Sequence, residues 1–180
     1  GEVWPADHRA AAEAALSRTL TLGGGRSAEQ DLEYLIRQLV EVGLRALSPG
    51  INDPFTAIAV LDRLGAALCT LAGRRLPGGR VARGGRTCLE RPAPDYPGLA
   101  DAMFHPLRQA AADQPAVLIR LLEVLAEVAA VETDPARRAA LRRHADLARD
   151  AAPTTADASV RHAVENRHAA LSRTLAERHP

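Results

Sequence analysis

Apolar residues recur at three- and four-residue spacing along most of the chain, a pattern typical of amphipathic helices. The clearest stretch is 28–47, with apolar positions at Leu32, Leu35, Ile36, Leu39, Val40 and Leu47. A second stretch begins at Pro54 and continues to Gly73, with apolar positions at Ile58, Leu61, Leu64, Leu68 and Leu71. The short segment between the two stretches predicts a pair of antiparallel helices.

Five further helices are indicated by the same periodicity. They are expected at 5–22, after Asp95, from Pro115, from Pro135, and at 159–178, with a loop at 151–158 before the last. The helix from Pro115 is the most apolar, so we expect it at the centre of the core. A proline at position 106 predicts a kink or a break in the helix that follows Asp95.

Residues 74–94 depart from the helical pattern, because glycines and prolines are frequent there. The pair Gly84-Gly85 separates two short runs, which predicts a β-hairpin on 80–83 and 86–91. The expected fold class is therefore mainly α. We expect one helical domain over residues 1–180, with six or seven helices and this one small hairpin inserted.

Composition agrees with a folded domain. The chain has 180 residues, of which 47% are hydrophobic and 25% charged, and these values exclude a disordered or low-complexity chain. The uninterrupted apolar runs are far shorter than the roughly 20 residues of a membrane span. Cys69 and Cys88 are too few for a disulfide framework, so we expect free thiols in a reducing compartment.

The formal net charge is +1, so positive and negative charges nearly balance. This balance excludes a chain that is attracted to nucleic acid by its overall positive charge. The local exception is 74–91, which holds six arginines with Glu90 as its one acid. Aromatic residues that would stack on bases are missing from this stretch. A solvated hairpin is one interpretation. The other is contact with anionic lipid headgroups if the domain lies beneath a membrane, and its candidate residues are Arg80, Arg83 and Arg86.

Catalytic motifs are not apparent in the sequence. It contains no H-x-x-x-H, C-x-x-C, G-x-S-x-G or phosphate-loop pattern. His162 and His168 are six residues apart, so on one helix they would point in different directions. We therefore expect no catalytic residue, no metal ligand and no cofactor, and we favour a non-catalytic domain over an enzyme.

The loop S-P-G-I-N-D-P at 48–54 is the strongest candidate for a ligand site, through Ser48, Gly50, Asn52 and Asp53. Their oxygen atoms, with a glycine allowing close backbone approach, suit a hard cation or a polar ligand. The structural alternative is that Asp53 caps the helix opened by Pro54, and this is favoured because a single carboxylate is too few for a calcium or magnesium site.

Arginines near this loop form the second candidate set. Arg37 and Arg45 lie two turns apart on the same predicted helix, and Asp62 lies on the next one. We expect arginine–carboxylate pairs across the two helices that hold the loop in register. Recognition of an acidic ligand by an unpaired arginine is the alternative.

A set of short motifs resembles domain-of-unknown-function family 2254, a family of bacterial predicted membrane proteins. The motifs are Gln30-Asp31, R-Q-L-V at 37–40, R-A-L-S-P-G at 45–50, N-D-P at 52–54, Thr56-Ala57 and Asp62. The run P-A-V-L-I-R-L-L-E-V-L-A at 115–126 is similar to a later helix of that family. The resemblance covers most of residues 20–132.

The resemblance implies several transmembrane helices in an N-terminal part that this chain lacks, followed by a soluble C-terminal domain. Residues 1–180 would form most or all of that domain, on the cytoplasmic side of the bacterial inner membrane. Its expected role is to support assembly or regulation of the membrane part, which is its expected partner. An enzyme or a cation-binding domain centred on the S-P-G-I-N-D-P loop is the alternative.

Overall fold

The computed structural model describes residues 8–19, 24–25, 31–153 and 157–177. Within them lie seven helices and one pair of antiparallel strands. The elements are α1 (Arg9–Thr19), α2 (Leu32–Ala46), α3 (Pro54–Leu71), β1 (Arg80–Arg83), β2 (Arg86–Glu90), α4 (Tyr96–Ala110), α5 (Pro115–Val131), α6 (Pro135–Asp150) and α7 (Ala158–Ala176). These elements confirm the predicted mainly α fold with one small hairpin. Parts of the predicted helices at 5–22, 28–47 and 159–178 lie outside the described residues.

The chain divides into two compact units, and the first comprises Gly1–Asp31 and Pro77–Ala93. It contains α1, which has no buried residue, and the hairpin, whose strand residues are all exposed. Gly84 and Gly85 have φ angles of 57° and 75°, the left-handed conformation that a tight two-residue hairpin turn requires. The glycine pair therefore fixes the predicted turn.

The second unit comprises Leu32–Leu76 and Pro94–Pro180, and α5 lies at its centre. Helix α5 packs against α3, α4, α6 and α7, while α2 packs against α3 and α4. The α5 side chains with at most 1% of their surface exposed are Val117, Leu118, Leu121, Leu122, Val124, Leu125, Val128 and Ala129. The prediction that the most apolar helix is central is confirmed.

Helix α4 does not break at Pro106, because it continues from Tyr96 to Ala110. A proline inside a helix removes one hydrogen bond, the bond that its own nitrogen would donate. Three neighbouring side chains, Met103, Phe104 and Leu107, are at most 1% exposed. Their packing holds the helix together across the missing bond.

Both cysteines are free thiols, as the sequence predicts. Cys69 is half-buried on α3 and Cys88 is exposed on β2. Burial, followed by the charge of Glu127, raises the pKa of the Cys69 thiol, so this side chain stays protonated and behaves as a small apolar group.

Two consecutive arginines at the start of α6 bind the carboxyl ends of three other helices. Arg137 donates to the carbonyl oxygens of Leu71, at 3.2 Å, and Arg74, at 2.7 Å, at and beyond the end of α3. Arg138 donates to four carbonyl oxygens at or just beyond the ends of α5 and α7, those of Ala129, Glu132, Thr174 and Glu177. The last carbonyls of a helix lack the partners that carbonyls in its interior have, and these bonds tie three such helix ends to α6.

Replacing Arg138 with lysine should destabilise the domain by about 2 kcal/mol, because an ammonium cannot reproduce a fork that reaches four carbonyls. Chemical denaturation of the purified chain measures the change. Arg149→Lys on the same helix is the matched control. Arg149 pairs with its exposed neighbour Asp150, so this variant should lower the free energy of unfolding by less than about 0.5 kcal/mol. Equal losses in the two variants would contradict a helix-end role for Arg138.

Candidate functional site

The S-P-G-I-N-D-P loop closes on itself through hydrogen bonds. The hydroxyl of Ser48 donates to the Arg45 carbonyl oxygen at 2.7 Å. The backbone nitrogen of Asn52 donates to the Ser48 carbonyl oxygen at 2.8 Å, and that of Asp53 to the Ala46 carbonyl oxygen at 2.8 Å. Asn52 has a φ of 48°, a left-handed conformation that asparagine tolerates better than most residues. The loop is thus a hydrogen-bonded turn between α2 and α3.

Asp53 caps α3, as the sequence predicts. One carboxylate oxygen accepts from the backbone nitrogens of Phe55 and Thr56, both at 3.1 Å. The other accepts from the Thr56 hydroxyl at 2.6 Å. The Thr56 hydroxyl first, and then the backbone bonds from Thr56 and Phe55, hold the pKa of Asp53 below its ordinary value. Both carboxylate oxygens therefore have partners within the first turn of α3.

Asn52 joins the loop to α5. Its side-chain oxygen accepts a hydrogen bond of 2.7 Å from Nε2 of Gln114, which stands at the N-terminal boundary of that helix. Gly50 is exposed, with nothing within 4 Å of the position that a Cβ would occupy. The structure therefore brings Ser48, Asn52 and Asp53 into one turn with internal partners for all three side chains. A ligand at this loop stays a prediction.

Arg37 and Arg45 pair within α2, whereas the sequence predicts pairs across helices. Arg37 binds Glu33 at 2.6 Å and Arg45 binds Glu41, each one turn earlier on the same exposed face. A glutamate four residues away on a helix is within reach without any tertiary contact, so the local pair is favoured. These arginines therefore do not hold the loop in register.

Asp62 does form a pair across helices, but with a partner that the sequence does not single out. Its Oδ1 accepts from Nε of Arg120 on α5 at 2.7 Å. Arg120 also binds Glu123 at 3.2 Å and Glu127 at 3.0 Å. Asp62 thus anchors α3 to the central helix rather than to α2.

The arginine-rich hairpin keeps its side chains in solvent. Arg80 pairs with Glu90 on the opposite strand at 2.9 Å, with both side chains mostly exposed. Arg83 and Arg86 face each other next to the glycine turn. Their proximity concentrates positive charge at the tip of the hairpin.

A cluster that the sequence does not predict lies between α4 and α6. Asp101 and His105 on α4 and His144 on α6 each offer one ligand atom, and these atoms all lie within 4.8 Å of one another. Asp101 and His105 are half-buried, and His144 is 0% exposed. Oδ1 of Asp101 lies 2.9 Å from Nε2 of His144. The cluster therefore combines a buried imidazole with a carboxylate near the surface.

Two pKa values in this cluster depart from ordinary ones. Burial, and then the positive charge of Arg143, lowers the pKa of His144 to about 4. Burial raises the pKa of Asp101, but the hydrogen bond and charge of Arg143 outweigh it and lower the pKa overall. At neutral pH the cluster therefore holds a neutral imidazole beside a carboxylate.

Sequence reasoning could have found two of the three residues of this cluster. Asp101 and His105 are four residues apart on one helix, so they lie on the same face, and this D-x-x-x-H spacing is visible in the sequence. His144 comes from another helix, and no local spacing predicts that α6 packs against α4. Motifs built from histidines alone or cysteines alone, such as H-x-x-x-H and C-x-x-C, do not include a mixed aspartate–histidine pair of this kind.

Within the described residues, one helix is long and apolar enough to cross a membrane by length and composition, namely α3. In the structure α3 packs against α2, α4 and α5. Its apolar face is buried at Ala57, Val60, Leu61, Leu64 and Leu68. Asp62 in the middle of α3 forms the ion pair with Arg120. These contacts are those of a core helix in a folded domain.

Comparison with known proteins finds relatives over the first two thirds of the chain. The model of the family described as "Predicted membrane protein (DUF2254)" matches residues 1–127. An uncharacterized protein of Mycobacterium bovis and one of Mycobacterium tuberculosis are each 37% identical over 126 residues, which are 69% of this chain and 24% of the relative. The matched part is thus about a quarter of the length of those relatives. No solved structure matches the chain.

Replacing Asp53 tests whether its role is that of a helix cap. Asp53→Ala should lower the free energy of unfolding by about 1 kcal/mol, because two backbone nitrogens lose their acceptor. Asp53→Asn should be nearly neutral, since asparagine caps equally well. Thermal and urea denaturation of the three proteins measure both changes.

Added magnesium or calcium distinguishes the cap from a cation ligand at the same residue. A cap predicts no change in the melting temperature of the wild type with either ion. A melting temperature that climbs with the ion in the wild type and stays constant in Asp53→Asn would show that the charge binds a cation, and it would overturn the purely structural role.

Proposed function

The chain belongs to the DUF2254 family of predicted membrane proteins, and we propose that it forms a non-catalytic, water-facing domain of a bacterial membrane protein. Its role is to support the assembly or regulation of a membrane part that lies in other segments of the full-length protein. That membrane part is its partner, and the domain lies on the cytoplasmic side of the inner membrane.

The packing of α3 is the observation that carries this proposal. The family is described as membrane proteins, yet the one apolar helix of suitable length in the described residues has Leu61, Leu64 and Leu68 buried at 0–2% exposure within the domain. Turning α3 toward lipid would expose the core and would place the Asp62–Arg120 pair in a hydrocarbon environment, at high cost. The membrane character of the family is therefore assigned to other segments.

The internal bonding of the S-P-G-I-N-D-P loop supports the non-catalytic part of the proposal. Its polar side chains bond to the backbone, to Thr56 and to Gln114. A catalytic base or nucleophile needs an accessible group directed toward a substrate. The loop instead connects α2, α3 and α5 rigidly. Such a connection suits a domain that supports assembly or regulation rather than catalysis.

The purified chain should fold cooperatively without detergent, because its helices already bury one another. Circular dichroism should show mainly helix and a single sharp thermal transition. A broad transition, or solubility in detergent alone, would contradict a water-facing domain. In the full-length protein, Arg138→Lys should lower the amount of assembled membrane part, whereas Arg149→Lys should leave it unchanged, as measured on native gels of solubilised membranes.

Anionic lipid headgroups are a second partner that we assign to the arginine-rich hairpin. Arg80, Arg83 and Arg86 are exposed, and Arg83 and Arg86 flank its tip. Each arginine close to an anionic membrane surface contributes about 1 kcal/mol, and this attraction decays within a Debye length. The expected binding is therefore weak and sensitive to salt.

Vesicle sedimentation tests the hairpin. The chain should bind vesicles rich in anionic lipid, bind neutral vesicles much less, and be released by high salt. Replacing Arg80, Arg83 and Arg86 with glutamine should abolish the binding. A matched variant with glutamine at three exposed arginines in helices, Arg63, Arg161 and Arg173, changes the net charge equally and should still bind. Equal binding to neutral and anionic vesicles would refute the lipid contact.

A further inference from the structure

We propose that Asp101, His105 and His144 form a binding site for a divalent transition-metal ion of the zinc type. The three ligand atoms come from two adjacent helices and converge within 4.8 Å. The rings of His105 and His144 are also close, with their centroids 6.4 Å apart. The site lies wholly within the second compact unit.

His144 supplies the observation that points to a ligand. Its side chain is 0% exposed, Nδ1 has no hydrogen-bond partner within the described structure, and the one group near Nε2 is the Asp101 carboxylate at 2.9 Å. A buried polar group without a partner costs free energy, so such groups are rare in native proteins. A metal ion bound by the ring would give this buried imidazole a strong partner.

The spacing of Asp101 and His144 fits a shared ion. The 2.9 Å between Oδ1 and Nε2 is close to the separation of roughly 3.3 Å expected for an oxygen and a nitrogen that bind one tetrahedral zinc ion. The same distance also suits a direct contact between histidine and aspartate, which a bound ion would replace.

The donor set selects the class of metal. Two imidazoles and one carboxylate suit zinc and similar first-row ions, whereas calcium and magnesium prefer sets made of oxygen atoms. Asp101 and His105 lie one turn apart on α4, so their relative position is fixed by the helix. Three protein ligands leave a fourth coordination position for water.

Two arginines next to the site should lower its affinity for a metal ion. Nη2 of Arg143 donates to Oδ1 of Asp101, and Nη2 of Arg108 lies 3.4 Å from Nε2 of His105. Both cations repel a metal ion, so the expected affinity is moderate. Asp101 has a second oxygen that can retain Arg143 while the first binds the ion. Removing the charge of Arg143 should therefore strengthen binding.

Zinc binding to the purified chain tests the site, with calorimetry for affinity and metal analysis after dialysis for stoichiometry. The wild type should bind one ion, and cobalt in place of zinc should show the intense visible absorption of a tetrahedral site. His105→Gln and Asp101→Asn should each weaken binding by at least about tenfold. Arg143→Gln should strengthen it by roughly tenfold. A purely structural ion pair between Arg143 and Asp101 predicts no such gain.

His168→Gln is the matched control. Nε2 of His168 lies 2.7 Å from Oδ1 of Asp146, so this pair repeats the histidine–aspartate contact, while no third ligand group is found beside it among the described residues. Its zinc affinity should equal that of the wild type. His144 is fully buried, so His144→Gln could misfold for reasons unrelated to metal binding. The test therefore uses variants of Asp101 and His105, which are half-buried. Absence of retained zinc, or equal affinity in His168→Gln and His105→Gln, would overturn the proposal.

Discussion

The carboxyl ends of α3, α5 and α7 present carbonyl groups that two adjacent arginines on α6 bind. Arg138 serves α5 and α7 together, while Arg137 serves α3 and lies over the ring of Tyr96 at 4.9 Å. Arg137 also approaches the buried carboxylate of Glu132, at 3.4 Å. Because each guanidinium bonds to several acceptors at once, the position of α6 is fixed both along its axis and around it. Four helices thus meet at one point.

This constraint decides where His144 lies. His144 follows Arg137 by seven residues, about two helical turns, so it lies on the same side of α6. With α6 fixed, its imidazole packs edge-on against Phe104 at 5.7 Å and next to Asp101. The geometry of the Asp101–His105–His144 cluster is therefore a consequence of helix-end bonding two turns away. An apolar side chain of similar volume would fill this buried space without placing a polar ring there.

Local chemistry was readable in the sequence, and distant pairing was not. Asp53 before Pro54 predicts a capped helix, and Gly84-Gly85 predicts a hairpin turn, because each depends on residues that are neighbours in the chain. The partner of Asp62 is 58 residues away on α5, and no spacing rule reaches it. The pairs predicted for Arg37 and Arg45 were wrong for a related reason, since a glutamate one turn earlier competes with any distant carboxylate.

The family match and the second compact unit do not end at the same residue, and this limits how far the proposed metal site can be extended to relatives. The match stops at residue 127, inside α5, whereas the core of that unit needs α6 and α7 to cover the remaining faces of α5. Asp101 and His105 lie within the matched segment and His144 lies beyond it. A relative can therefore share the aspartate and the first histidine without the site. It would bind a metal ion there if a helix after the matched segment also placed a histidine against α4.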